Sequence, residues 1–306
     1  MTNPHACPGC LRRSWLLAVL GPQIERAAIG VGGRRAVALL RLTDEELAET
    51  VAPVGGHRIL ADLAAHPQGW FARRLADAGC WATCRHEDAC PGGLRDPEEP
   101  PAALIGNGDP AAVAGLAPAA TATIVGSRRA DSYGREVARD LGADLAAAGV
   151  TVVSGLAFGI DACAHRGALD GGGPTIAVLG CGPDTAYPAA HRGLWGRIAE
   201  SGAVVSELPP GSVPWRWSFP ARSRVLAALA GMTVVVAAAE RSGSLVTAEL
   251  AADLGREVGA VPGPVISRQG AGPNTLLAEG ACVVRDARDV VDALAGVGME
   301  PGVGGA

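Results

Sequence analysis

Phe219-Pro220-Ala221-Arg222-Ser223-Arg224 and, one apolar run later, Ser242-Gly243-Ser244-Leu245-Val246-Thr247-Ala248 are the residues of this chain best suited to hold phosphate. The two arginines offer permanently charged, bidentate forks. The Ser-Gly-Ser turn follows a β-branched run, Val234-Val235-Val236, and precedes Ala248-Glu249-Leu250-Ala251, so it opens a helix. Its amides and the helix N-terminus favour an anion. Gly126-Ser127-Arg128, directly after Thr123-Ile124-Val125, repeats the theme with a glycine for backbone approach, a hydroxyl donor and a cation. A neutral Ser/Gly loop set with arginines suits a ligand that has a phosphate backbone.

Alternating strands and helices must position these loops. Short apolar runs at 123–125, 151–153, 175–179, 203–205, 234–236 and 257–261 read as buried parallel strands. Helical patterns lie between them, at 133–148, 160–169, 191–201, 222–229 and 245–254. Each strand ends in small or polar residues, and the C-terminal edge of an open parallel sheet is where ligands bind. The fold class expected is α/β, an extended Rossmann-like, doubly wound parallel sheet with a small helical N-terminal domain of SAM or helix-hairpin-helix type. The expected division is a helical module with a cysteine cluster over 1–90, a linker over 91–101, the Rossmann-like domain over 102–295 and a disordered Gly-rich tail over 296–306. Thr43 is a plausible N-cap, with Glu46 at capping-box spacing. Doubly wound topology would bring Arg128, Arg222 and Arg224 to one rim.

Composition narrows the function. The 306 residues carry a net charge of −5, which excludes a strongly basic DNA-coating protein, so any nucleic-acid contact must come from a local patch. All 26 basic residues are arginine, so no lysine Schiff base or proton shuttle exists. No uninterrupted apolar run reaches the roughly 18 residues of a membrane span. The N-terminus lacks a signal-peptide pattern, and a cytoplasmic protein is expected.

Eight cysteines are present. Cys163, Cys181 and Cys282 read as small buried hydrophobes. Cys7-Pro8-Gly9-Cys10 is a CxxC, and two of Cys80, Cys84 and Cys90 could complete a zinc site, with His5 or His86 as substitutes. The later cysteines lack a CxxC spacing, so thiols without a metal are the preferred reading and no cofactor is expected. Gly180-Cys181-Gly182 reads as structural, as do Asp161 (a helix cap or a brace on the Gly155 loop) and His165.

Taken in order and spacing, Val125-Gly126-Ser127-Arg128, Ser154-Gly155-Leu156-Ala157 through Gly159-Ile160-Asp161, Ala164-His165, Leu179-Gly180-Cys181-Gly182, Tyr187-Pro188, Ser206-Glu207, Phe219 through Arg224, Ser242-Gly243-Ser244-Leu245, Thr247-Ala248 and Val261-Pro262-Gly263 resemble the DprA/Smf family of DNA-processing proteins. The resemblance covers about 102–292 and, more loosely, the N-terminal module. It implies a non-enzymatic homodimer that binds single-stranded DNA, protects incoming DNA in natural transformation and loads a RecA-type recombinase. Carried over residue by residue, it implies a DNA site of Ser127, Arg128, Arg216, Phe219, Arg222, Arg224, Ser242, Gly243 and Ser244. Two departures stand out. Ser223 occupies the position where the family usually has Asn, and the C-terminal winged-helix-like domain of many members is not expected after the glycines. Thr275-Leu276-Leu277 and Ala281-Cys282-Val283-Val284 are apolar enough to serve the dimer.

An enzyme is the alternative. The same sheet with Gly243 to Glu249 is similar to nucleotide phosphoribohydrolases of the lysine-decarboxylase-like group. Glu249 with Arg222 or Arg224 would then act on an N-glycosidic bond. Ser242 stands where that group has a Gly pair.

Overall fold

The computed structural model describes residues 6–28, 32–95 and 101–297. His5, part of the 91–101 linker and most of the 296–306 tail lie outside the described residues. In chain order the elements are α1 (Pro8–Val19), α2 (Gly21–Ala28), α3 (Gly32–Leu40), α4 (Asp44–Val51), α5 (Gly56–Ala64), α6 (Trp70–Asp77), β1 (Trp81–Thr83), β2 (Leu104–Gly108), β3 (Thr121–Val125), α7 (Ser132–Ala147), β4 (Thr151–Ser154), α8 (Ile160–Asp170), β5 (Thr175–Val178), α9 (Arg192–Ser201), β6 (Ala203–Ser206), α10 (Ser218–Leu229), β7 (Met232–Val235), α11 (Gly243–Asp253), β8 (Glu257–Ala260), α12 (Ala271–Ala278), β9 (Cys282–Val283) and α13 (Ala287–Val297). The protein is mixed α/β with mostly parallel strands, as expected. It divides into two compact units, Met1–Gly115 with Ile176–Val225 and Leu116–Thr175 with Leu226–Ala306.

In the first unit the strand order is β1-β2-β6-β5. The β5/β6 pair is parallel, whereas β1/β2 and β2/β6 are antiparallel. The N-terminal helices bury Leu16, Leu17, Leu20, Ile24, Leu47, Phe71 and Leu75 in a cluster that also takes Ile105, Leu208, Trp217 and Ala221. Helix α4 starts in a full capping box. Thr43 Oγ1 accepts from the Glu46 amide at 3.2 Å, and Glu46 Oε2 accepts from the Thr43 amide at 2.9 Å. The Thr43 amide and then its hydroxyl, both donating to Glu46 Oε2, hold the Glu46 carboxyl below its usual range.

The second unit is wholly parallel, in the order β4-β3-β7-β8-β9. The chain runs outward from β3 to β4, then returns to β7 on the other side of β3. The β3/β7 pair is therefore a topological switch point, where strand-end loops diverge and leave a crevice. Helix α7 begins at Asp131, whose carboxylate accepts from the Gly134 amide at 2.9 Å. It packs tightly on α8. A Cβ on Gly142 would lie 2.4 Å from the Ala164 carbonyl oxygen, and one on Gly167 would lie 1.9 Å from that of Arg139. Buried Thr123 and Ser154 donate their hydroxyl protons to the Leu226 and Ile124 carbonyls at 2.8 and 2.6 Å. Thr175 gives its hydroxyl proton to the Val152 carbonyl at 2.7 Å, so His165 Nδ1, 2.8 Å from Thr175 Oγ1, is the donor in that contact. That fixes the tautomer of a fully buried histidine and agrees with its structural reading.

Candidate nucleic-acid interface

In the second unit the loops at the switch point are bonded to one another. The Ser127 amide donates to the Ala237 carbonyl at 2.6 Å, joining the loop after β3 to the loop after β7. The Ile160 amide donates to the Ser127 carbonyl at 3.2 Å, joining the start of α8 to the same loop. Gly159, at φ 76°, turns the chain into α8, and a Cβ there would meet the Ser127 carbonyl oxygen at 2.2 Å. The Asp161 carboxylate braces the loop before it by accepting from the Ala157 amide at 3.3 Å. Gly126 does not open the backbone to a ligand as expected. Its missing Cβ makes room for Ile160 and the Ala237 carbonyl, 2.6 and 2.8 Å away.

Each member of the loops then has a distinct place. Ser127 is half-buried and its Oγ accepts from the Arg129 amide at 3.1 Å, so the hydroxyl shapes the turn. Arg128 is exposed. At the head of α11, Ser242 is the N-cap, and its Oγ lies 2.8 Å from that of Ser244. Gly243 is exposed, and a Cβ there would have no heavy atom within 4 Å, so the helix N-terminus can be approached closely.

The first unit carries the arginine segment. Trp217 anchors it by donating from its indole to the Gly21 carbonyl at 3.0 Å and from its backbone to Glu25 at 3.1 Å. Buried Ser218 donates to the Gly180 carbonyl, tying the start of α10 to the end of β5. With α10 so fixed, Arg222 donates to the Val178 carbonyl at 3.1 Å, and its guanidinium carbon lies 5.6 Å from the centre of the Phe219 ring. Phe219 in turn lies 5.7 Å from Tyr187. Tyr187, Phe219 and Arg222 form a ladder of flat groups that offers base stacking beside a cation. Arg216 is exposed one turn earlier.

Arg224 differs. Its side chain is 5% exposed and ion-paired with Glu207, which is 11% exposed and also accepts from the Ala102 amide at 3.0 Å. The charge is therefore neutralised inside the protein, where it holds α10 to the end of β6. Cys181 is equally interior. Burial, only partly offset by Arg222, pushes its thiol up to about 12, so it carries no nucleophilic thiolate near neutral pH. Glu249, the carboxylate of the enzyme alternative, is exposed on α11.

Four aromatic or amide residues at these loops carry no separate signal of a role in the sequence. Tyr187, of the Tyr187-Pro188 pair, is 39% exposed and next to Phe219. Phe158 is 46% exposed beside Gly159. Tyr133 donates to the Pro262 carbonyl at 3.1 Å. Asn274 clamps Gly263 by two bonds, accepting from its amide at 3.1 Å and donating to its carbonyl at 3.0 Å. An asparagine in the first turn of α12, two residues after a Gly-Ala-Gly run, gives no local sign of a clamp on a loop eleven residues upstream.

The family model for DNA recombination-mediator protein A matches residues 81–295. The chain belongs to the DprA/Smf family. It is 50% identical over 189 residues to a putative DNA processing protein DprA from Mycobacterium tuberculosis, a match covering 62% of this chain and 48% of that protein. The chain thus spans about half the length of this curated relative. Its structure is similar to the X-ray structure of DNA processing protein A from Streptococcus pneumoniae, with a TM-score of 0.73, 27% identity and coverage of 94% of this chain and 98% of that one. It is also similar to DNA processing protein A from Helicobacter pylori, a structure described for its single-stranded DNA binding mode. That match has a TM-score of 0.61 and 28% identity, covering 67% and 93% of the two chains. Each DprA/Smf motif read from the sequence after Trp81 falls inside the matched region.

Proposed function

We propose that this protein binds single-stranded DNA, protects it and passes it to a RecA-type recombinase during transformation or recombination. The observation that carries the reading is the Tyr187–Phe219–Arg222 ladder at the end of β5, in a chain of the DprA/Smf family. Unpaired bases have free π-faces for such a ladder, whereas the bases of a duplex are stacked on each other. The open N-terminus of α11 and the exposed Arg128 add sites for backbone phosphates. The single-stranded DNA binding of the Helicobacter pylori relative supports the same assignment.

A homodimer is part of the proposal. Leu276 and Leu277 are half-buried on α12, and Val283 on the edge strand β9 is 50% exposed, which gives that side of the second unit apolar surface for a second copy. The test is a salt-dependent binding titration with single-stranded and duplex DNA of equal length, with sedimentation of the free protein. Tighter binding of the single strand with a shallow salt slope is expected, because a chain of net charge −5 neutralises few phosphates. Equal affinity for both DNA forms would overturn the single-strand assignment, and a monomer at every concentration would overturn the dimer. Release of free base from nucleoside monophosphates would favour the phosphoribohydrolase alternative instead.

A further inference from the structure

Cys7, Cys10, Cys84 and His86 come together in the first unit, with their ligand atoms all within 4.8 Å of one another. The three sulfurs lie 3.4, 3.5 and 3.6 Å from a single atom, His86 Nδ1. One ring nitrogen has either one proton or one lone pair, so hydrogen bonding satisfies one sulfur and leaves two against it without purpose. A tetrahedral zinc ion resolves the crowding. With Zn–S near 2.3 Å and Zn–N near 2.0–2.1 Å, the S···N edge of a zinc tetrahedron is about 3.6 Å, close to all three distances. We infer that Cys7, Cys10, Cys84 and His86 form a structural zinc site of the three-cysteine, one-histidine class.

The surrounding backbone is built for it. Cys7 is the N-cap residue of α1 and Cys10 lies in its first turn, so the CxxC presents two sulfurs from a helix start. The Ala6 amide donates to the Ala82 carbonyl at 3.1 Å, which lays this start beside β1 and brings Cys84 across 77 residues of sequence. The Cys7 amide points at Cys84 Sγ at 3.4 Å and so holds that sulfur against the start of α1. On the other side, Arg95 donates to the carbonyls of Asp88, Glu87 and Cys90 at 2.6, 3.2 and 3.3 Å, bracing the turn that carries Cys84 and His86. Cys80 and Cys90 are outside the set. Both are buried, and burial pushes each thiol up to about 11. Zinc binding releases the protons of the three thiols and joins the N-terminal helix to β1, a cross-link that the chain otherwise makes only through hydrogen bonds and packing.

The test is metal content of the full chain, purified without chelator or histidine tag after growth with zinc. Stoichiometric zinc is expected in the parent and in Cys163→Ser, with loss in Cys84→Ser and His86→Ala. His86 is exposed, so His86→Ala reads the site even where Cys84→Ser fails to fold. Cobalt(II) titration of metal-stripped parent should give the intense visible bands of a tetrahedral thiolate site, and zinc should displace them. Zinc near background in the parent, a Cys7–Cys10 disulfide in its mass spectrum, zinc retained in both variants, or a pale octahedral cobalt spectrum would each overturn the inference.

Discussion

Arg224 and Arg128 carry the same charge in two regions built on different terms. Arg224 lies on α10 in the first unit, 5% exposed, against Glu207. Arg128 lies on the loop after β3 in the second unit and is exposed. A buried ion pair gives up the hydration of both charges and must recover it from its partner, so removing one member leaves a charge that nothing answers. An exposed arginine keeps much of its surface in water and can give some of it up to a ligand. Arg222 stands between the two, tied to the Val178 carbonyl but half-buried beside Phe219. Proximity to a strand end therefore does not make an arginine a DNA contact. Its guanidinium must also be open to solvent, as that of Arg128 is and that of Arg224 is not.

The largest effect that can break this contrast is on stability. Arg224→Ala should destabilise the protein by about 3–5 kcal/mol, because Glu207, 11% exposed, would lose the cation that neutralises it. Chemical denaturation measures it. The joint replacement Arg224→Met with Glu207→Leu should recover much of the loss, because it removes both charges. A stable Arg224→Ala protein that had lost DNA binding would move Arg224 into the DNA site and end the contrast.

Arg222 sharpens the middle of the comparison. Arg222→Ala should weaken single-stranded DNA binding by about 1.5–3 kcal/mol, the range for a well-formed charge-assisted contact. The stability loss should be smaller, about 1 kcal/mol for one hydrogen bond to a carbonyl. Arg222→Lys should also bind weakly, since an ammonium cannot lie flat beside Phe219 and reach Val178 in the same way. A fluorescence titration beside a melting curve separates the two losses. Unchanged binding in both variants would deny Arg222 a role at the interface.

Some of this was legible in the sequence and some was not. The β-branched runs of β3, β4, β6 and β7 are buried on both faces, so no alternation was needed to find them. Thr43 and Glu46 announced α4 because a capping box is local. The antiparallel strands β1 and β2 were not visible as strands. β1 has three residues, all buried, and β2 is Leu-Ile-Gly-Asn-Gly, two glycines in five positions. Gly106 is there because the Trp81 indole covers it, and a Cβ would meet the ring at 2.2 Å. Such a strand is defined by its partners, one of them β6 about a hundred residues later. Helix α10 starts at Ser218, before the expected 222, because Pro220 is tolerated in a first turn and Ser218 is held by Gly180. The residues of the proposed zinc site were legible as types, but choosing His86 over Cys80 or Cys90 required the fold.

A smaller effect tests the stacking half of the interface. Phe219→Ala and Tyr187→Ala should each cost single-stranded DNA binding about 1 kcal/mol, the low end for base–aromatic stacking, since the two rings are tilted by 39° and Phe219 is half-buried. Their losses should not add, because each ring packs on the other. Stacking is tolerant of base identity, so the loss should be similar on poly-dT and mixed sequences. A loss confined to one base type would mean a hydrogen-bonded readout that this ladder does not provide.

The smallest expected effect is the cleanest probe of the exposed region. Arg128→Ala should leave stability within about 0.5 kcal/mol, as for most surface substitutions. If Arg128 meets one backbone phosphate, its loss should weaken binding about equally on all sequences. It should also lower the slope of log affinity against log salt by about 0.7, the single-strand value per phosphate. That slope distinguishes a direct contact from a long-range field. A charge that only adds to the potential over the rim changes affinity at low salt, and the change fades as the Debye length shrinks to about 10 Å at 0.1 M. A contact also removes a condensed counterion, so the two slopes stay distinct across the whole salt range. Curves for parent and Arg128→Ala that differ at low salt and coincide above about 0.1 M would assign the exposed arginine to steering and leave contact with DNA to the first unit's ladder.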